Sequence, residues 1–321
     1  MKKMHQLLGA TVLSLCSVTT VYAADYPTRP VSIVVPFSPG GATDTLARLL
    51  AERMTDKLGQ SVVVENKPGA GTMIASNYVA RAKPDGYTLL MAASSLGIAP
   101  SVYAKVDYDP IKDFTPISLI ASVVHVLTVN PELPVKTVRE LIDYAKANPG
   151  KLSYGSVGVG TSTHLEAEMF KNMADIDIAE IPYKGSAPAL TDLVSGRIQV
   201  MFDAWASTRG FAQDNRVRVL AVTTDKPSPS VPGTPSISRD LPGFAAMPWL
   251  GLVAPAGTPP NVVNTLYKAL DDIVKEPAVV ERFQALGLDV IGSDPKAFAQ
   301  FIKEDIDTWG AVAKQGNIRI E

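Results

Sequence analysis

Two glycine-rich turns, each between a short apolar strand pattern and a helical pattern, constrain the fold of this chain more than any other feature. The first is PFSPGGATDTLARLL at residues 36–50, directly after VSIVV at 31–35. The second is KLSYGSVGVGTSTHLEAEMF at residues 151–170, which repeats the order strand, glycine-rich turn and helix. Such a repeated design is typical of an α/β protein built from two similar halves.

The alternation of strand and helix patterns extends beyond the two turns. From residue 31 to residue 94 the order is strand, helix, strand, helix, strand, which favours parallel βαβ units with strands buried on both faces. The pattern restarts after Pro110, with one or two strands predicted in 113–131. Residues 225–260 are too rich in proline and glycine to be regular, apart from a possible strand WLGLVAP at 249–255. Three helices are predicted between residues 261 and 315.

The N-terminal residues 1–23 have the features of a secretory signal peptide. Two lysines precede an apolar run, and VYA at 21–23 is a small-residue cleavage site. The run is short for a membrane anchor, which needs about 20 apolar residues. Cys16 is the single cysteine of the chain and would leave with the signal peptide. We therefore predict an exported periplasmic protein that does not span a membrane and has no disulfide bond.

Charge and motifs argue against several function classes. The formal net charge of −2 gives no general attraction for nucleic acid, so no nucleic-acid partner is expected. The P-loop, GxSxG and HExxH motifs are absent, and the two GxGxx strings lack the third glycine of a dinucleotide site. Beyond the signal peptide, His125 and His164 are the only histidines. We therefore predict no metal site, no cofactor and no catalytic residue.

The chemistry of the two glycine-rich turns points to an anion. The first N–H groups of a helix lack acceptors within the helix, and the helix dipole adds positive potential there. Gly40 and Gly41 would let the backbone approach a ligand closely, while Pro36 and Pro39 stiffen the turn. In open α/β sheets, ligands bind outside the carboxyl ends of the strands, where both turns would lie. The alternative is that both are tight turns without a ligand.

The combination of motifs closely resembles the Bug-type receptors, the periplasmic solute-binding proteins of tripartite tricarboxylate transporter systems. The strings that carry the resemblance are VVPFSPGGATDTLARLLAERM, VENKPGAGTMIASNYVARAKPDGYTLL, YDPIKDFTPISLI, GSVGVGTSTHLEAEMF, IPYKGSAPALTDLVSGRIQVMFD and APAGTP. They extend over essentially the whole chain after the signal peptide. The resemblance implies a type II-like periplasmic-binding-protein clamp of two α/β domains, each a mostly parallel sheet flanked by helices, that closes on a ligand in the interdomain cleft.

On this basis we assign domains to the chain. After the signal peptide 1–23, the first part of domain 1 is predicted at 24–123 and domain 2 at 124–221. The second part of domain 1, with the C-terminal helices, is predicted at 222–321. Hinges are expected near 124–128 and near 220–224, where strands would pass between the domains.

The resemblance also implies which residues bind the ligand. The first loop would contribute Ser38, Gly40, Gly41, Ala42 and Asp44, and the second loop Gly160, Thr161, Ser162 and His164. Other strand ends would contribute Ala93, Ser94, Tyr183, Lys184, Gly185, Phe202 and Asp203. Trp205 is a further candidate, because an indole ring in the cleft would suit a flat, aromatic ligand end.

Several of these residues have an ordinary structural alternative. Asp44 could cap its helix, and His164 could only pack or bond to its loop. Lys184 could be a solvated surface lysine, and Trp205 could belong to the core. Asp203 ends an apolar strand, where an unpaired carboxylate is costly, so we expect it to meet a donor.

The predicted function is a monomeric periplasmic receptor without catalytic activity. It would capture a small carboxylate, with a dicarboxylate or an aromatic carboxylate favoured, and deliver it to the membrane components of the transporter. One alternative is a ligand-sensing receptor that contacts a signalling partner when closed. The other is an exported enzyme that acts on a carboxylate and uses His164 and Asp203 as an acid and base pair.

Overall fold

The computed structural model describes residues 26–158, 160–183 and 185–320. The predicted signal peptide and Lys184 lie outside the described residues. The strands are β1 (Val31–Val35), β2 (Val62–Asn66), β3 (Thr88–Ala93), β4 (Phe114–Val123), β5 (His125–Val129), β6 (Ser153–Ser156), β7 (Ala179–Pro182), β8 (Val200–Ala204), β9 (Arg218–Val222), β10 (Trp249–Pro255) and β11 (Leu288–Val290). The helices are α1 (Ala42–Leu58), α2 (Met73–Ala80), α3 (Ser95–Val102), α4 (Val138–Ala147), α5 (Ser162–Ala174), α6 (Ser186–Val194), α7 (Trp205–Gln213), α8 (Pro260–Ile273), α9 (Pro277–Ala285) and α10 (Pro295–Gln315).

The strands form two sheets. The first has the order β11-β4-β10-β3-β1-β2 and the second the order β7-β6-β8-β5-β9. The prediction of mostly parallel sheets is wrong, because both sheets are mixed. In the first sheet only the β1–β2 and β1–β3 pairs are parallel, and in the second only the β6–β7 and β6–β8 pairs. The antiparallel pairs involve the strands that lead the chain out of one sheet and back into it.

The chain passes from the first sheet to the second at Val124, between β4 and β5. It returns near Met247, since the Ala246 N–H still donates to the Thr223 carbonyl while the Val123 N–H donates to the Pro248 carbonyl. The first crossing lies within the predicted hinge region 124–128. The return lies well after the predicted 220–224, because residues 223–246 pack against the second sheet through Ile237 and Phe244.

The last helix contacts the cores of both sheets. Phe298 and Ile302 in the first half of α10 pack with strands of the first sheet. Trp309 and Val312 in its second half are buried in the core of the second sheet. Helix α10 therefore connects the two units, whereas the sequence assigned this region to domain 1. The division into domains itself stays a prediction.

Three elements were missing from the sequence interpretation. Helix α3 contains Gly97 and Pro100, which disguise its helical pattern. Helix α7 follows β8 directly, and strand β11 is only three residues long. Among the described residues, no helix has both the length and the apolar character that a membrane span requires.

Asp305 joins α10 to the first sheet and makes stability depend on pH. Its two carboxyl oxygens accept the indole N–H groups of Trp249 and Trp309, both at 2.9 Å. Burial raises the pKa of Asp305 to about 7, against the indole bonds, which lower it. The folded state therefore holds the proton more tightly than the unfolded state. Stability from this group is present at low pH and is lost as the pH rises from about 4 to about 7.

We expect an Asp305→Asn variant to remove this pH dependence. Asparagine cannot ionise, so the free energy of unfolding of the variant, relative to wild type, should rise by up to about 4 kcal/mol across this window. Denaturant titrations between about pH 4 and pH 8 measure this difference. An Asp307→Asn variant, at an exposed position of α10, is the control and should follow wild type. A constant difference between Asp305→Asn and wild type would contradict the prediction.

Candidate functional site

A cavity of about 310 Å³ lies between the two sheets, where the loops of both units meet. Its volume is at the lower end of the range for small-molecule sites, roughly 300–1,000 Å³. The cavity is lined by Phe37, Thr43, Gly71, Thr72, Ala93, Ser94, Ser95, Ile98, Ala99, Tyr103, Val123, His125, Val157, Gly160, Thr161, Ser162, Pro248, Trp249 and Leu250. Since these residues come from both sheets, relative movement of the two units would change the shape of the cavity.

The first glycine-rich loop is held by Asp44. Its Oδ2 accepts the Gly40 N–H at 2.9 Å, and its Oδ1 accepts the Asn66 Nδ2–H at 2.8 Å. Arg48 donates to both oxygens at 3.0 Å. The hydrogen bonds from Arg48 lower the pKa of Asp44 to about 2. The Gly40 and Asn66 donors also lower this pKa, and burial opposes the shift. Asp44 therefore stays ionised at neutral pH and ties the loop to α1 and β2.

The second loop is held in the same way by a histidine. His164 Nδ1 accepts the Gly160 N–H at 3.0 Å, so the proton of the neutral ring is on Nε2. Nε2 lies 3.5 Å from Glu180 Oε2. Burial lowers the pKa of His164, although Glu180 opposes the shift. A neutral ring is therefore favoured, as the accepted N–H bond requires.

The two loops correspond residue by residue. Gly40 and Gly160 have positive φ angles of 89° and 77°, and each is bonded to the side chain four residues later. Each helix begins two residues after this glycine, and neither N-cap residue makes a side-chain capping bond. The N–H groups of the first turns of α1 and α5 are therefore available to a ligand. Two such helix ends at one cavity favour an anion with several acceptor oxygens.

A third glycine-rich loop, which the sequence interpretation did not assign to the site, also reaches the cavity. Residues 69–72 all have positive φ angles, including 80° at Thr72, and Gly71 and Thr72 line the cavity. Thr72 Oγ1 donates to Ser95 Oγ at 2.8 Å, and Ser95 also lines the cavity. The string NKPGAGT between β2 and α2 carries the same pattern as the other loops and could have indicated this contact.

The structure brings only part of the predicted site to the cavity wall. Ala93, Ser94, Gly160, Thr161 and Ser162 line it. In the first loop, Phe37 and Thr43 line the cavity, whereas the predicted residues lie beside it: Ser38, Gly40, Gly41, Ala42 and Asp44. His164 is not a lining residue and supports the loop through its bond to the Gly160 N–H.

The predicted residues Tyr183 and Gly185 after β7 and Phe202 within β8 are not among the lining residues. Tyr183 donates its hydroxyl to Asp192 Oδ2 at 2.8 Å, and Gly185 precedes α6. Phe202 is 1% exposed and packs with Phe170 and Phe244 in the core of the second sheet.

Trp205 and Asp203 also have local partners. Trp205 packs against the valine cluster around Val124 and Val126, beside the crossing between the sheets. Its ring therefore does not form the aromatic cavity wall considered in the sequence interpretation. Asp203 is 2% exposed, and its Oδ1 accepts the Ser186 hydroxyl at 2.8 Å.

Two further lining residues could not be found from local sequence. His125 is the first residue of β5 and Trp249 the first of β10. Both strands begin where the chain passes from one sheet to the other, and this brings both residues to the cavity. The Trp249 N–H donates to Ser94 Oγ at 2.8 Å, which fixes the end of β3 against β10.

Backbone and hydroxyl groups provide most of the polar chemistry of the cavity wall. No lysine or arginine is among the lining residues that the structure describes. Nor do the described residues contain a group of three or more His, Cys, Asp or Glu side chains placed to hold a metal ion. The arrangement is suited to binding an anion by N–H donors, with charge supplied by helix dipoles.

Comparison with known proteins gives a family and several solved relatives. Residues 46–318 match the family described as tripartite tricarboxylate transporter family receptor. The structure of Rpa4515 from R. palustris with adipate is 37% identical, with a TM-score of 0.80 over 92% of this chain and 100% of that chain. The periplasmic binding protein BugD is 37% identical, with a TM-score of 0.76 over 92% and 100%. MatC from Rhodopseudomonas palustris with bound malate is 33% identical, with a TM-score of 0.75 over 89% and 99%.

These similarities extend over nearly the whole length of each protein. They confirm the predicted two-domain periplasmic-binding-protein fold, with mixed rather than mostly parallel sheets.

Proposed function

The chain belongs to the tripartite tricarboxylate transporter receptor family, as its resemblance to the Bug-type receptors predicted, and we propose that it captures a small dicarboxylate in the periplasm. The mature protein would be a monomer that closes around the ligand. It would then present the ligand to the membrane components of a tripartite tricarboxylate transporter.

The observation that carries this proposal is the matched construction of the first and second loops. Each presents the first N–H groups of a long helix, and each is stiffened by a bond from a positive-φ glycine to the side chain four residues later. Rigid donors lose little conformational freedom on binding, so they bind an anion better than a mobile loop would.

The cavity and the relatives support this ligand class. Two structural relatives hold adipate and malate, both small dicarboxylates. A cavity of about 310 Å³ suits a ligand of this size. Phe202 and Trp205 pack elsewhere, so they do not support binding of an aromatic acid, although Phe37 and Tyr103 are among the lining residues.

The alternative of an enzyme has little support in the geometry. The acid and base pair would need His164 and Asp203 to bond to one another or to one substrate. His164 instead contacts Gly160 and Glu180, and Asp203 accepts from Ser186. A signalling role would use the same clamp, and capture of the closed form by a sensor protein would distinguish it from transport.

The proposal predicts that dicarboxylates stabilise the folded protein. A ligand at 100 times its dissociation constant should add about 2.7 kcal/mol to the free energy of unfolding. The experiment is thermal unfolding of residues 24–321 with C4 and C6 dicarboxylates, malate and aromatic acids, each confirmed by calorimetry on protein shown to be ligand-free. A rise in Tm with aromatic acids alone would overturn the dicarboxylate assignment. If no carboxylate raises Tm, the proposed anion site is wrong.

A further inference from the structure

A buried histidine and glutamate pair lies against the cavity, outside the two loops. His125 lines the cavity and is only 6% exposed. Its Nδ1 lies 3.0 Å from Oε2 of Glu166, which projects from α5 and is 0% exposed. Glu166 is not among the lining residues, so it contacts His125 from the side away from the ligand. The pair brings together residues from β5 and α5 that lie 41 positions apart.

This pairing determines what His125 can offer to a ligand. A carboxylate oxygen is an acceptor only, so the Nδ1 beside it carries the proton and donates to Glu166. The remaining polar atom of the ring is Nε2, for which the described residues provide no partner. When the ring is charged, Nε2 is an N–H donor, and its hydrogen bond to a carboxylate in the cavity would be charge-assisted.

The surroundings of the pair favour the charged ring. The titratable groups that face His125, within the described part of the chain, are Glu166 from α5 and Asp203 from β8. Burial opposes the charge on His125, but these two carboxylates outweigh burial and raise its pKa. Burial also raises the pKa of Glu166 and of Asp203, although the charge on His125 lowers both. The charges on His125 and Glu166 therefore stabilise each other within the pair.

The cluster is also too polar to be ordinary core. Glu166 Oε1 and Asp203 Oδ2 are fully buried without a hydrogen-bond partner among the described residues. An unsatisfied buried carboxylate oxygen destabilises the folded protein, so a role in stability alone does not account for the arrangement. A glutamate that orients a cavity histidine and favours its charged form would explain why this destabilising arrangement is present.

We propose that His125, held by Glu166, binds the second carboxylate of the ligand through Nε2 and makes the site prefer dicarboxylates over monocarboxylates. The two glycine-rich loops hold the first carboxylate. His125 is thus a specificity-determining residue, and Glu166 is a positioning residue that acts through it. This inference rests on the proposed function and names the residue that selects within it.

The test uses pairs of acids that differ only in the second carboxylate. Calorimetry compares succinate with butyrate and adipate with hexanoate, for wild type and for Glu166→Gln. The glutamine keeps an acceptor for Nδ1 but removes the counter-charge. We expect affinity for the preferred dicarboxylate to fall at least tenfold, a loss of about 1.4 kcal/mol, while affinity for the matched monocarboxylate stays within about twofold.

A matched control and a pH profile separate this role from a purely structural one. Glu168 lies on the same helix and is 9% exposed, but it bonds to Tyr154 and Lys171. Glu168→Gln should leave the ratio of dicarboxylate to monocarboxylate affinity unchanged. Between about pH 7 and pH 9, where the carboxyl groups of both acids are ionised, dicarboxylate affinity of wild type should fall as His125 loses its proton. In Glu166→Gln that fall should move to lower pH, and monocarboxylate affinity should stay flat in both proteins.

A second variant covers the case in which Glu166→Gln fails to fold. His125→Asn keeps a donor near the position of Nδ1 but lacks Nε2, so it should lose the preference for dicarboxylates and keep monocarboxylate binding. If the folded variants bind both acids with an unchanged ratio of dicarboxylate to monocarboxylate affinity, the role of His125 is overturned and the proposed function is not. Failure of wild type to bind any of the four acids overturns the proposed function, and this inference with it.

Discussion

A Gly160→Ala variant is expected to bind carboxylates at least tenfold more weakly than wild type. Gly160 has a φ of 77°, which costs an alanine about 1–2 kcal/mol. Its Cβ would also lie 2.7 Å from Ile320 Cδ1 and 3.2 Å from Val102 Cγ2. These neighbours come from the C-terminal segment and from α3, which are bonded to each other through the Ile320 N–H and the Val102 carbonyl.

Ile320 Cδ1 is the end of a flexible side chain, but Val102 is fully buried and the positive φ is strained for alanine, so the loop should move in this variant. Movement would displace Thr161 and Ser162, which line the cavity. Gly196→Ala provides the matched control, because Gly196 has the same φ of 77° but its Cβ would meet only Asn130 Nδ2, at 3.6 Å. Both variants should lose a similar amount of stability through backbone strain, and only Gly160→Ala should lose affinity in calorimetry. Equal affinities of the two variants would refute a role for this loop in binding.

The second large effect is expected from Asp44→Ala. The substitution leaves the Gly40 N–H and the Asn66 amide without their acceptor, together with the charge partner of Arg48. Asp44 is 3% exposed, so these groups lose charge-assisted bonds in a mostly buried setting. We expect a loss of about 2–4 kcal/mol in the free energy of unfolding. Affinity for carboxylates should also fall at least tenfold, because the first loop loses the bond that holds Gly40.

Two further variants divide this effect between charge and loop support. Arg48→Met removes the ion pair but keeps the Gly40 and Asn66 bonds, and the Arg48 side chain is 52% exposed. Because the bonds that hold the loop remain, this variant should bind carboxylates like wild type. Asp56→Ala, at an exposed position of α1, controls for loss of an acidic residue from the same helix. Normal ligand affinity in Asp44→Ala would show that the first loop needs no support from Asp44.

Much of the fold could be predicted because its signals are local. The run WLGLVAP was predicted as a strand at 249–255 and is β10, and the amphipathic pattern from 294 to 315 is α10, with Asp294 capping it through the Ala297 N–H. Turn, cap and helix preferences depend on residues within about four positions of each other, so a single sequence carries them.

The candidate site could be predicted only where it consists of backbone. The glycine loops were found because glycine readily adopts the positive φ that a tight turn before a helix requires, and this preference does not depend on where the helix packs. Phe202 and Trp205 were harder, since the face of a strand or helix that meets the cavity depends on what packs on the other side. Phe202 packs against Phe170 and Phe244 in the core, and Trp205 packs against the valine cluster at the crossing.

The sequence by itself determined most of the order of strands and helices, the two matched loops and, through its motifs, the family. Only the tertiary structure decided that the sheets are mixed, that the chain returns to the first sheet near Met247, and that His125 meets Glu166 beside the cavity. The physical reason is distance along the chain. Strand direction, crossing points and buried ion pairs depend on contacts between residues tens of positions apart, and local propensity contains no information about such partners.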